Sequence, residues 1–383
     1  MTEQLYYKDA YMIEFEAVVL KCEKTDGGYR TVLDKTAFFP EGGGQCGDVG
    51  EIDGIKVIDT VIDNNGVIFH LTEASLTVGK TVKGVIDWDT RFSNMQNHSG
   101  EHIVSGIAHT LFGCTNVGFH LGHDDVTIDY DIPLSREQIE LLQQKANEAV
   151  FKNLPIICTF PNQEEIKKID YRSKKELDGK IRIVKIPDID ICACCAPHVN
   201  LTGEVGIIKL LDSKNYKGGV RIHMLCGFRA ILDYESRYKE AYKISLTLSA
   251  KQHEISNAVD GLLTEIGGLK QQIVSLEKTL ATVKSEAFST TDKNAVVNCS
   301  FSGDALRMFV DSAAKKCNGL LLGINGNDTD GYRYVAHYSG EDFLEKIKTL
   351  NQKLNGKGGG RPPMAQGSLK ATFTDIQKEL EVL

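Results

Sequence analysis

The sequence predicts an α+β protein of several domains: a small β-barrel-like domain, a mixed α+β domain, a coiled-coil-like helix and a C-terminal α/β domain. Three observations lead there. At 383 residues the chain exceeds what one hydrophobic core normally organises. Its apolar period changes along the chain, from strand-like alternation to helical spacing and back. Between residues 255 and 280 the apolar positions fall into a heptad register.

The elements follow in order. Residues 1–90 read as β, because "EAVVLKCEK", "YRTVLD", "IKVIDTVIDNNGVIFHL" and "KTVKGVIDWD" are short, β-branched and separated by "DGG" and "DNNG" turns. Within them "LDKTAFFPEGGGQCGDVG" places glycines at 42 to 44, where backbone can approach a ligand closely or take positive φ. Residues 91–232 read as mixed α+β. "MQNHSGEHIVSGIAHTLFG" predicts an amphipathic helix from the spacing of Ile103, Val104, Ile107, Ala108 and Leu111. "VGFHLGHDDVTIDYD" reads as a hairpin-like pair of strands, and "SREQIELLQQKANEAVFKN" as a helix with Ser135 and Gln138 in a capping box. "LPIICTF" and "KIRIVKI" are further strands. Residues 233–285 form a long helical segment. In it Ile255, Val259, Leu262, Ile266, Leu269, Ile273, Leu276 and Leu280 make a seam able to pair with a second copy or fold back on the preceding helix. Residues 286–383 alternate strands and helices, the sign of an α/β unit.

Composition narrows the function. The chain is 42% hydrophobic and 25% charged, which is ordinary for a globular protein, and no apolar run is long enough to span a bilayer. The N-terminus is polar and unlike a signal peptide, so a cytoplasmic protein is expected. Ten cysteines in such a chain are expected as thiols or metal ligands rather than disulfides. A net charge of −8 argues against a general nucleic-acid coat, so any nucleic-acid substrate must meet local basic patches. The glycine-rich "GKGGGRPPMAQGS" at 356–368 is no phosphate loop, since G-x-x-x-x-G-K-[ST] is absent, and ATP binding is not expected.

Two pairs of residues carry the chemistry. His98 and His102 lie four apart on the predicted helix, so both imidazoles face one side. "CACCAPH" supplies a second pair, His198 with one of Cys192, Cys194 and Cys195; Cys194 has the same four-residue spacing. Thiolate and imidazole together favour zinc. Spacing alone leaves the choice of cysteine open. His98-Ser-Gly-Glu101-His102 also fits the inverted H-x-x-E-H peptidase signature, but that class completes its site with a carboxylate, not with a Cys/His pair.

Read together, "TAFFPEGGGQ", "NHSGEH", "CCAPHVNLTGEVG" and "KNYKGGVRIHMLCGFRAILDY" resemble the alanyl-tRNA editing proteins of the AlaX type, relatives of the editing domain of alanyl-tRNA synthetase. The resemblance runs from about Thr36 to Tyr234 and resumes in "GGGRPPMAQ", which is similar to the DHH-associated domain of the long forms. It implies an editing domain with one zinc per chain on His98, His102, Cys194 and His198, which selects Cys194. It also implies hydrolysis of the ester in mischarged tRNA-Ala, carrying Ser or Gly, by an enzyme acting in trans. Thr36 would read a serine hydroxyl, Gln45 would orient water or the terminal ribose, and Glu101 would serve as a base or as partner to a ligand imidazole. Gly43, Gly44, Lys357 and Arg361 are the expected tRNA contacts, and the seam or the C-terminal domain the expected homodimer contact. A non-catalytic tRNA-binding module is the alternative. One departure stands out: Pro197 occupies a position where the family often has Thr. Four protein ligands also describe a closed zinc site, whereas catalytic zinc keeps a position open. Either the coordination expands on substrate binding or the zinc shapes the pocket.

Overall fold

The structure is a computed structural model describing residues 2–122, 126–173 and 181–383. His123 to Asp125, inside the expected hairpin, and Lys180, at the start of "KIRIVKI", lie outside the described residues. The chain divides into two compact units, Met1–Glu240 and Ala241–Leu383.

The first unit opens with the expected barrel. Six strands close on themselves: β1 (Glu14–Thr25), β2 (Gly28–Leu33), β3 (Gly50–Ile52), β4 (Ile55–Ile62), β5 (Ile68–Thr72) and β6 (Thr81–Ile86), in the order β1-β2-β5-β4-β3-β6. Alternation puts Phe15, Ala17 and Val19 of β1 inside, against Leu33, Phe38, Ile52, Val57 and Val82. The loop between β2 and β3 leaves the barrel, makes a tight turn in which Gly42 and Gln45 exchange backbone hydrogen bonds, and is fastened by Leu121 N–H donating to Gly44 O at 2.7 Å.

Helix α1 (Trp88–Phe112) follows, capped by Asp87, which accepts from Thr90 N–H, and stopped by Gly113 at φ 69°. It differs from the amphipathic helix the sequence predicts. Every residue from Asn94 to Gly106 is buried. The polar side chains on its nominal outer face are spent on tertiary hydrogen bonds: Gln96 Nε2 donates to Glu204 O at 2.9 Å and Asn97 Oδ1 accepts from Cys226 N–H at 2.9 Å. Arg91, fully buried, ties the helix to the barrel by donating to Asp48 and to the carbonyls of Ala10 and Ala37. Buried polar groups survive only when so paired.

Around α1 lie a four-stranded antiparallel sheet and a three-stranded one. The first has the order β12-β13-β8-β7, from β7 (Asn116–Leu121), β8 (Val126–Tyr130), β12 (Ile208–Tyr216) and β13 (Gly219–Cys226). The second is β9 (Ile157–Thr159), β10 (Ile183–Ile186) and β11 (Asp190–Ala193). Helix α2 (Arg136–Phe151) starts at Ser135 with the capping box read from sequence. One core of Ile103, Val104, Ile128, Leu142, Val184 and Ile222 joins these layers. Helix α3 (Gly227–Leu248) runs across the boundary between the units.

In the second unit α4 (Ile255–Ala287) carries the heptad seam, and from Val259 to Leu280 every seam residue is exposed. Next come β14 (Ala295–Asn298), α5 (Gly303–Ala313), β15 (Leu321–Asn327), β16 (Gly331–His337), α6 (Phe343–Lys353), β17 (Lys357–Arg361), β18 (Met364–Leu369) and α7 (Phe373–Val382). The sheet order is β14-β15-β16-β18-β17, with only β14 and β15 parallel. Strands and helices alternate as in the expected α/β unit, but the mainly antiparallel sheet makes it α+β. The glycine-rich segment is a strand pair: β17 and β18 are close enough for a Cβ at Gly360 to sit 2.1 Å from Met364 O. Sequence propensity hides such a strand, because glycine lacks the side chains that mark one. Among the described residues no helix is long and apolar enough to cross a membrane, and all ten cysteines are free thiols.

Candidate metal centre and cleft

Two glycines decide whether α1 can present its histidines. A Cβ at Gly100 would lie 2.3 Å from Cys226 Sγ, and one at Gly106 would lie 2.3 Å from Ile189 O. Their absence lets β13 and the approach to β11 pack directly on the helix. The turn following β11 then places Cys194 and His198 over His98 and His102.

The four donor atoms of His98, His102, Cys194 and His198 all lie within 4.8 Å of one another. Cys194 Sγ is 3.4 Å from Nε2 of His98 and 3.4 Å from Nε2 of His198. A tetrahedral zinc with bonds of about 2.3 Å to sulfur and about 2.0 Å to nitrogen would separate S and N by about 3.5 Å. The second nitrogen of each ring is taken: His98 Nδ1 by Gln45 Oε1 at 2.9 Å, His198 Nδ1 by Ser99 Oγ at 3.0 Å, His102 Nδ1 by Asp190 Oδ2 at 2.8 Å. All three rings thus turn Nε2 inward, the arrangement by which outer partners fix the tautomer of a metal-binding imidazole. The residues fit a metal of zinc's ligand preference.

Electrostatics agree. Burial opposes ionisation of Cys194, but the imidazoles of His98 and His198 and the hydrogen bonds from His102 and His198 outweigh it and hold the thiol well below its usual range. Burial holds His198 down to about 3, so it is neutral. Burial also disfavours the His102 cation, yet Asp190, Cys192 and Cys194 together raise its pKa well above the usual value. A thiolate ringed by imidazoles is a cation's environment. The neighbouring cysteines differ: burial pushes Cys195 up to about 11, and its Sγ lies against the glycine loop, 3.4 Å from where a Gly43 Cβ would stand. Cys192, buried, groups with His102 and Asp190 instead.

His98, His102 and Cys194 floor a cleft of about 540 Å3 lined also by Tyr7, Gly43, Gly44, Glu101, Phe119, Phe160 and Arg182. Arg182 Nη1 donates to the carbonyls of Cys194 and Ala196 at 3.0 and 2.7 Å, which holds the cysteine turn. Gly44 has φ 85°, and a Cβ there would lie 2.4 Å from Phe119 O. Glu101 is buried. Its Oε1 accepts from Ser105 Oγ at 2.7 Å and from Asn116 Nδ2, and its Oε2 stands 4.0 Å from His102 Nε2.

The other expected site residues fall as follows. Gln45 is 1% exposed, with Oε1 on His98 and Nε2 buried without a hydrogen-bond partner among the described residues. Thr36 does not line the cleft. It is fully buried at the barrel, its hydroxyl 2.8 Å from His70 Nε2 and accepting from Phe38 N–H at 3.1 Å. Pro197 is buried beside His198. Lys357 and Arg361 belong to the second unit, exposed on edge strand β17, where Arg361 lines a small hollow with Arg307 and Gln366. Sequence reasoning missed Asp190, Ser99 and Arg182. Only Ser99 had a visible signal, as one more polar residue in the charge-poor run "QNHSGEH".

The first unit contains the two stretches matched by family models: residues 2–90 match the class II (A) tRNA synthetases, and residues 181–223 match the threonyl and alanyl tRNA synthetase second additional domain. The chain is 32% identical over 98% of its length to the alanyl-tRNA editing protein AlaX-L of Pyrococcus horikoshii, of which the match covers 96%. It is 32% identical to the alanine–tRNA ligase of Methanobrevibacter smithii, over 96% of this chain but 44% of that enzyme. The C-Ala domain of Aquifex aeolicus alanyl-tRNA synthetase covers 24% of this chain and 89% of its own, at 25% identity and a TM-score of 0.21.

Proposed function

The chain belongs to the alanyl-tRNA editing proteins of the AlaX-L type, and from that premise we propose that it is a zinc-containing hydrolase that clears serine, and also glycine, from mischarged tRNA-Ala in trans. The observation that carries this reading is the cluster at the cleft, three of whose four residues line it, where four mutually close N and S donors have each imidazole's far nitrogen engaged.

His98, His102, Cys194 and His198 would hold the zinc. Bound there, zinc supplies Lewis acidity toward the ester carbonyl. The remaining work belongs to the chain. An aminoacyl ester is already activated, so placement of the ester and a water supplies most of the catalysis. The backbone at Gly43 and Gly44, bare of side chains, lets the terminal ribose approach the floor. Gln45 acts from behind by fixing His98. Glu101, lining the cleft with one carboxylate oxygen anchored by Ser105 and Asn116, is placed to take the proton of the attacking water through the other. Thr36 would read the serine hydroxyl only if its own hydroxyl left His70. Lys357, Arg361 and the exposed seam of α4 are proposed to serve tRNA phosphate contact and pairing with a second copy.

The test is deacylation of tRNA-Ala charged with Ser, Gly or Ala, with metal content measured on the same samples. About one zinc per chain is expected, with Ser and Gly removed and Ala spared. His102→Ala and Cys194→Ala should lose both zinc and activity, while Cys192→Ala and Cys195→Ala keep the metal. Stoichiometric zinc in both of the first two variants would sink the ligand assignment, and indifference to the amino acid would sink the editing role.

A further inference from the structure

We propose that Asp190 is a positioning residue for His102, a carboxylate that fixes this one imidazole for the metal and that is itself fixed by Arg172. The proposal rests on the metal reading given above.

Three outer groups hold the three imidazoles, and they are chemically unequal. Ser99 offers a hydroxyl and Gln45 an amide, both neutral. Asp190, 5% exposed at the start of β11, offers a carboxylate. Its two oxygens are divided: Oδ2 accepts from His102 Nδ1–H at 2.8 Å, and Oδ1 accepts from Arg172 Nε at 2.8 Å. The backbone of Arg172 is held in turn along one edge of β11, on either side of Cys192, by its own N–H donating to Ile191 O at 2.8 Å and by its O accepting from Ala193 N–H at 3.0 Å. The carboxylate is thus held at both oxygens, and it holds the imidazole at Nδ1. Hydrogen bonds to an ionised acceptor are about twice as strong as neutral ones. Of the three rings, His102 is accordingly the one with the firmest orientation and the most electron-rich Nε2.

Asp190, Cys192 and His102 also lie within 4.8 Å of one another, so they compose a candidate cation site of their own. Arg172 argues against it, because a cation there would face a guanidinium already seated on the carboxylate. Asp190 reads instead as a fixed acceptor.

The experiment measures zinc affinity of the full chain by competition with a chromophoric chelator, alongside the visible spectrum of the cobalt(II) form. Asp190→Asn has a single oxygen and cannot serve both His102 and Arg172. Its zinc dissociation constant should rise by about 10- to 100-fold, with an altered cobalt spectrum, in a chelator-treated protein that still unfolds cooperatively. Asp190→Glu, which keeps the charge, should recover part of the loss. Ser99→Ala should lose less than Asp190→Asn, and Cys192→Ser should bind zinc as the native chain does. Native-like affinity in Asp190→Asn would overturn the proposal, as would a loss in Ser99→Ala of equal size, or a loss in Cys192→Ser. Should Asp190→Asn not fold, nitrogen-15 shifts of the histidine rings in the native zinc form decide. The His102 ring must be protonated at Nδ1, and any other tautomer refutes the role. A native chain that binds no zinc at all would instead fail the metal reading itself, a separate result.

Discussion

Replacing Gly106 by alanine tests the packing that brings the metal donors together. In an ordinary helix this substitution stabilises by about 0.5–1 kcal/mol, because alanine loses less backbone freedom on folding. Here the added Cβ would lie 2.3 Å from Ile189 O and 2.8 Å from Asp190 Cβ, where ordinary contact begins near 3.4 Å. The chain before β11 must therefore retreat by about 1 Å from a helix whose residues from Asn94 to Gly106 are all buried. Overpacking of this kind costs about 1–3 kcal/mol, enough to reverse the helical gain. The displacement also strikes the 2.8 Å hydrogen bond between Asp190 and His102, so zinc affinity should fall together with stability. Trp88, the single tryptophan of the chain, opens α1 and stacks on Phe92. A urea titration followed by its fluorescence therefore reports on the first unit. Gly267→Ala in α4, where a Cβ meets nothing within 4 Å, should instead gain up to about 1 kcal/mol by helical circular dichroism. A Gly106→Ala chain as stable as the native one, with unchanged zinc affinity, would refute the reasoning.

Three further outcomes are expected. Burial holds His70 down to about 4, against about 6.5 in an unfolded chain. Its contribution is therefore complete above pH 6.5 and is lost as pH falls toward 4, amounting to about 3 kcal/mol; in chelator, the native urea midpoint should drop more steeply over that window than that of His70→Gln. Thr36→Val orphans the buried His70 Nε2 and should destabilise the first unit by about 1–3 kcal/mol. It should change deserylation and deglycylation alike, and a loss confined to serine would return Thr36 to a hydroxyl-reading role. A chain ending at Leu248 should keep its zinc and slow hydrolysis at high substrate, yet bind tRNA more weakly with a shallower dependence on salt. Equal salt slopes for both chains would remove the second unit from tRNA contact.

What the sequence determined by itself is whatever short-range periodicity encodes. Alternation in "IKVIDTVI" sufficed for a barrel strand, and the four-residue spacing of His98 and His102 put both rings on one helical face. The capping box at Ser135 and the heptad seam of α4 were legible for the same reason, since each is written within one or two turns of chain. Tertiary structure decided the rest. Spacing left Cys192, Cys194 and Cys195 open and only the resemblance selected Cys194; the physical reason, which sulfur the turn after β11 carries to His98, nearly a hundred residues away, is tertiary. Asp190, Arg172 and Gln45 have no periodic mark, because their function is a hydrogen bond across the core. The polar face of α1 reads as a solvated surface until packing buries it, and the glycines of β17 read as loop because a ladder of backbone hydrogen bonds needs no side chain to form. Thr36 shows the same limit: its motif was visible, but the direction of its hydroxyl was set by His70, a partner on barrel strand β5.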